Sequence, residues 1–146
     1  MNGIDPENAV VKLCVAGVEA EQAGDGERAS ALYRRAWEAR TDALEASMAA
    51  HYLARVQADA ATRMRWNRLA LEQALAFGEG ASSFLPSLHL NVGHCHEEAG
   101  QLAEAAASYQ RAAASLEGMD AGVADSLRPP IDRARRRVTA ALRPEA

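Results

Sequence analysis

One spacing occurs three times in this chain, and it narrows the fold more than any other feature. Gly17 is followed at +12, +16 and +19 by Ala29, Tyr33 and Ala36. Gly93 is followed at the same offsets by Ala105, Tyr109 and Ala112, and Ala50 by Thr62, Trp66 and Leu69. Small, small, aromatic, then small or apolar is the contact skeleton of a packed helix pair. Its return every few tens of residues predicts an array of such pairs. Arrays of this kind usually bind and rarely catalyse.

Composition agrees with close helix packing. The chain has 146 residues, enough for one domain with a real core, and that single domain is expected to span 1–146. Alanine occurs 34 times while aromatics make up 5%, so many helix contacts must run through small side chains. Arginine outnumbers lysine 15 to 1, as in GC-rich bacterial genomes. The formal net charge of −4 provides no global field for nucleic acid. The opening Met1-Asn2-Gly3-Ile4-Asp5 has no basic stretch followed by an apolar core, so it reads as no signal peptide. The short lead-in and the basic tail ending at Ala146 read as natural termini. No apolar run approaches the roughly 20 residues of a membrane span. Cys14 and Cys95 stand far apart with no CxxC, as expected of reduced thiols in a cytoplasmic protein.

Local signals place the helices. Asp5-Pro6-Glu7 reads as a helix start and Gly24 as its stop. A second helix is expected over about 27–40, a third capped by Thr41 and running to about Val56, and a fourth capped by Asp59. The Gly/Ser-rich stretch 78–83 reads as a loop within one domain, with Ser83 capping a fifth helix that ends at Ala99-Gly100. A sixth covers about 102–116 and ends at Gly118. A short turn at 121–127 is then expected, with Pro129-Pro130 opening a last helix whose inner stripe is Ile131, Ala134, Val138 and Ala141. Nothing alternates like a strand, so the chain reads as all-α. The copies begin 33 and then 43 residues apart, so the second interval carries extra residues between Leu75 and Leu85. These either lengthen the fourth helix or widen the loop after it.

In the best copy, His89-Leu90-Asn91-Val92-Gly93-His94 leads to Gly100 and then to Ala105, Tyr109 and Ala112. The copy at Ala16-Gly17, Gly24, Ala29, Tyr33 and Ala36 is nearly as good; the middle one is degenerate, with Ala50, Gln57 and Thr62 in place of Gly, Gly and Ala. In this pattern the chain resembles the tetratricopeptide repeat family over about 10–118. The resemblance implies a right-handed α-solenoid of about three antiparallel helix pairs (10–43, 43–76 and 86–119) with a capping helix over 120–146. It implies a concave groove that takes a peptide or partner protein, lined by Cys14, Val18, Glu21 and Gln22, by Ser47, His51 and Arg55, and by Leu90, Asn91, His94, Glu97 and Glu98. Relatives that clamp a terminal carboxylate use Lys and Asn where this chain has Cys14 and Val18, so such a clamp is not expected.

Other constellations read more simply. His94 and His96 are two apart and point to different sides of a helix, so they cannot share an ion. His89 and His96 share the face that packs on the partner helix. His94 with Glu97 or Glu98 is the better pair, and with His51 from the preceding repeat it would be the place for a divalent metal or a small sensed ligand. The plainer reading is a polar groove wall with histidines titrating near neutrality. Neither cysteine has a histidine on its own helix face, and no phosphate-binding glycine pattern is present, so no catalysis and no cofactor are expected. The arginines at 128, 133, 135, 136, 137 and 143 have no interleaved aromatics and read as the solvated outer side of a cap. Tyr33, Trp37, Trp66 and Tyr109 read as core. Phe84 and Leu85, expected to be partly covered, would anchor a partner or a second copy, or staple the fifth helix to its neighbour. The expected function is therefore non-catalytic protein or peptide binding, with a homodimer-forming scaffold or a small-molecule or metal sensor as alternatives.

Overall fold

The computed structural model describes residues 5–144; the reading placed on residues 1–4 and the end of the basic tail lie outside them. Its described elements are seven α-helices and one 3-10 helix, with no strand among them. The chain packs as two compact units that divide between Ala81 and Ser82, inside the Gly/Ser-rich stretch. That stretch is not an open loop, since Glu79–Phe84 winds as the 3-10 helix.

The first unit holds α1 (Ala9–Gln22), α2 (Gly26–Ala39), α3 (Ala43–Arg55) and α4 (Ala60–Phe77). Short connections fold consecutive helices back on each other. Ala20 packs with Ala29 near the α1–α2 turn, while Val10 and Cys14 pack with Ala36 at the far end, so the pair is antiparallel. The turn is built by Gly24, whose φ of +80° suits glycine; its N–H donates to the Glu21 carbonyl while Asp25 N–H reaches the Ala20 carbonyl. The same double bond closes α5 (Leu85–Glu98) at Gly100 and Gln101 in the second unit. There α6 (Leu102–Ala114) returns along α5, and α7 (Ala121–Leu142) packs on α6.

Several boundaries differ from the sequence expectation, each for a local reason. Asn8, not Asp5, caps α1: its Oδ1 accepts from the N–H groups of Val10 and Val11, and Asp5 instead closes a turn onto Glu7 N–H. Asp42, not Thr41, caps α3, because the Glu45 carboxylate already accepts both the N–H and the hydroxyl of Thr41. Ser83 caps nothing; the 3-10 helix runs straight into α5, with Phe84 at the boundary and no side-chain cap. The extra residues of the second interval do both things: α4 reaches Phe77, and the 3-10 helix follows.

The largest difference is α7. The expected turn and separate last helix are one helix of 22 residues, with Pro129 and Pro130 inside it. Each interior proline deprives a carbonyl of its donor and costs roughly 3 kcal/mol. Apolar contacts on both sides of the pair oppose that cost. Ala124 and Ile131 pack with Ala112 and Leu116, and Ala134 and Val138 pack with Ala105 and Tyr109. Ala141, expected on this inner stripe, is exposed, one turn beyond the packed stretch.

The repeated spacing has a direct structural meaning. A Cβ on Gly17 would lie 2.2 Å from Tyr33 Cε1, and one on Gly93 would lie 2.4 Å from Tyr109 Cε1. Each glycine is therefore the seat of a fully buried tyrosine ring. Where Ala50 replaces the glycine, its methyl group denies such a seat. The aromatic of that copy, Trp66, is only half-buried and meets Trp37 edge-on at 5.1 Å.

Candidate functional site

In the first unit the surface residues of α1 and α3 converge around two stacked tyrosines. Tyr33 rises from α2 over Gly17 and stacks on the half-buried Tyr52, with ring centroids 5.2 Å apart and an interplanar angle of 21°. The Tyr33 hydroxyl donates to Glu21 Oε1, and Arg55 pairs with the same carboxylate at 3.2 Å. His51 meets Tyr52 edge-on at 4.8 Å, and the Arg55 guanidinium lies 5.8 Å from that ring. Glu21, His51, Tyr52 and Arg55 thus form one ledge that is aromatic at its centre and polar at its rim. Burial, reinforced by the Arg55 charge, lowers the His51 pKa, so at pH 7 its ring is neutral.

The second unit repeats the core of this arrangement. Tyr109 donates to Glu97 Oε1 at 2.6 Å. Arg137 reaches that carboxylate with two bonds, from Nε at 2.6 Å and Nη2 at 2.8 Å. These donors, Arg137 foremost, hold the Glu97 carboxyl down at about 2 against the opposing effect of burial. His94 meets Tyr109 edge-on at 5.6 Å, and partial desolvation of its ring, followed by the Arg137 charge, lowers its pKa although the residue keeps an exposed edge. Burial, followed by the Arg111 charge, lowers the His89 pKa as well.

The expected site residues divide into two groups. Val18 and Glu21 are half-buried on α1, Gln22 and Arg55 are exposed, and His51 sits on the ledge. Asn91 is half-buried, and His94 and Glu98 are exposed on α5. Three residues face inward instead. Cys14 is 4% exposed and packs with Val10, Ala36 and Ala49. Ser47 is buried, its hydroxyl donating to the Ala70 carbonyl at 2.7 Å. Leu90 packs against the clusters that join α6 to α7. Glu97 and His94 interact through their charges, while the hydrogen bonds of the carboxylate go to Tyr109 and Arg137. Arg137 accordingly leaves the solvated cap row and belongs to this network.

Sequence reasoning missed Tyr52 and the carboxylate–tyrosine bonds. A signal for the latter was present: both good copies carry Glu at +4 from the glycine as well as Tyr at +16, and the degenerate copy has Ala54 at +4.

Burial pushes the Cys14 thiol up to about 12, so it supplies no thiolate. Among the described residues, no three His, Cys, Asp or Glu side chains gather as metal ligands. No described helix is long and apolar enough to cross a membrane. Tyr52 gives the ledge a half-buried aromatic surface beside the Glu21–Arg55 pair. No protein-family model, curated protein or solved structure matches this chain.

Proposed function

We propose that the chain is a tetratricopeptide-type helical array, a right-handed α-solenoid, that binds a peptide segment of a partner protein without catalysis, in the cytoplasm. The observation that carries this reading is the Tyr33–Tyr52 stack on the first unit, rimmed by His51 and the Glu21–Arg55 pair. A rigid aromatic with adjacent donors and acceptors is the usual make-up of a binding hot spot. The stack is held before any ligand arrives, so little ordering entropy is lost on binding.

The test is capture from a lysate of the source organism with the wild-type chain and with His51→Ala/Tyr52→Ala. A partner held through the ledge should lose at least about tenfold in affinity with the double variant, as expected for removal of a hot spot. Equal capture by both proteins would remove the ledge as the site.

A second reading, homodimerisation, draws on two exposed apolar side chains at the end of α4, Leu75 at 56% and Phe77 at 40%. Phe84 and Leu85, the anchors expected from the sequence, are half-buried. If this surface self-associates, sedimentation equilibrium should show a mass that rises with concentration and returns to monomer with Leu75→Glu. A monomer at all concentrations would dismiss it.

A further inference from the structure

Helix α7 presents two faces of opposite chemistry. Ile131, Ala134 and Val138 are buried within the second unit. On another face, Asp132, Arg135, Arg136, Thr139 and Arg143 line a shallow open depression of about 460 Å³. Their spacings of three and four set these side chains next to one another along about 16 Å of helix. Arg135, Arg136 and Arg143 are exposed, and no described residue forms an ion pair with them. Arg137, in the same run, is the contrast: Glu97 holds it with two bonds.

Unpaired guanidinium groups gathered on one stripe, in a chain of net charge −4, make a local positive potential that the molecule as a whole does not share. We propose that this stripe of α7 docks an acidic helix of a partner protein. Guanidinium forks match carboxylates bidentately, and the stripe has the spacing of a helix-on-helix contact. Asp132 at one end of the stripe favours a partner that carries a cation among its acids, and it repels a continuous run of phosphates. The face has no aromatic on which bases could stack, which disfavours single-stranded nucleic acid. Ile131, Ala134 and Val138 of α7 pack within their own unit and are not available to enter a bilayer. This proposal uses none of the ledge residues and stands whether or not the ledge binds anything.

The test titrates the full chain into a fluorescein-labelled helical peptide of about 14 residues, with glutamates at i, i+4 spacing and one lysine. Anisotropy should show saturable binding. Arg135→Glu/Arg136→Glu should weaken it by at least about tenfold, as should raising salt from about 0.05 to about 0.5 M, while Arg68→Glu, at an exposed arginine of α4, leaves it unchanged. Arg135→Lys/Arg136→Lys, which keeps the charge and loses the fork, should fall between wild type and the charge reversal. Thermal melts of both variants check that they fold; should the reversal fail to fold, the lysine variant and the salt dependence decide. Absence of saturable binding, binding indifferent to these changes, or tighter binding of an oligothymidylate or of phosphatidylserine vesicles would each overturn the proposal.

Discussion

Gly93→Val is expected to lower the unfolding free energy by about 3 kcal/mol or more, and Gly17→Val by a similar amount. The cause is steric. The first added carbon already falls 2.4 Å from Tyr109 Cε1, or 2.2 Å from Tyr33 Cε1, and valine adds two methyls to that carbon. Neither ring has room to retreat, since both tyrosines are fully buried and tied through their hydroxyls to Glu97 and Glu21. Alanine is the informative intermediate. It gains about 1 kcal/mol of helix propensity over glycine while paying an overpacking cost of roughly 1–3 kcal/mol or more, so a smaller net loss is expected. Urea unfolding followed by circular dichroism measures both. Pairing Gly93→Ala with Tyr109→Leu should recover part of the loss if the ring is the obstacle. An alanine variant as stable as wild type would mean that the tyrosine seats are loose.

The second large effect is expected in the Glu97 network, where burial decides which bond matters. Tyr109→Phe should cost about 1–2 kcal/mol, because it removes a hydroxyl donor from a carboxylate that is only 22% exposed. Glu97→Ala should cost more, about 2–3 kcal/mol, since it leaves the hydroxyl of a fully buried tyrosine without its acceptor. Arg137→Ala should cost less than about 1 kcal/mol despite two short bonds, because that side chain is 51% exposed and solvent screens it. The pH dependence separates the two donors. The folded carboxyl titrates at about 2, below its ordinary 4.5, so its stabilisation is present above the ordinary value and is lost as pH falls from there toward about 2. Arg137 is the larger cause of the depression. Arg137→Ala should therefore reduce the acid slope by no more than its cost at neutral pH, less than about 1 kcal/mol, whereas Tyr109→Phe lowers stability at neutral pH and leaves most of the slope. Chemical denaturation at a series of pH values reads both. A wild-type stability that does not change across the window would contradict this account of the network.

The legibility of the sequence varied with the range of the interaction concerned. The α1–α2 and α5–α6 pairs, their stops at Gly24 and Gly100, and the burial of Tyr33 and Tyr109 follow from residues fewer than 20 positions apart, and the recurring spacing records them. The cap of α1 was misplaced because Asn8 and Asp5 offer the same kind of side chain, and only the bonds to Val10 and Val11 choose between them. The break expected at Pro129-Pro130 rested on a sound local rule. Burial of Ala124, Ile131, Ala134 and Val138 against α6 overrode it.

The candidate site was legible in part for the same reason. His51, Arg55, Glu21 and His94 could be placed on surface faces from their register alone. Cys14, Ser47 and Leu90 could not, because register names a face of a helix but not the neighbour that covers it. Alone, the sequence determined an all-helical chain of neighbouring pairs, with Tyr33 and Tyr109 each at a fixed offset from a glycine, because backbone hydrogen bonding and close contact within a pair act over short separations. Tertiary structure decided which carboxylates the arginines meet, which groove candidates are buried, and that α7 is continuous. Those outcomes depend on contacts such as Glu97 with Arg137, 40 residues apart, which no local pattern encodes.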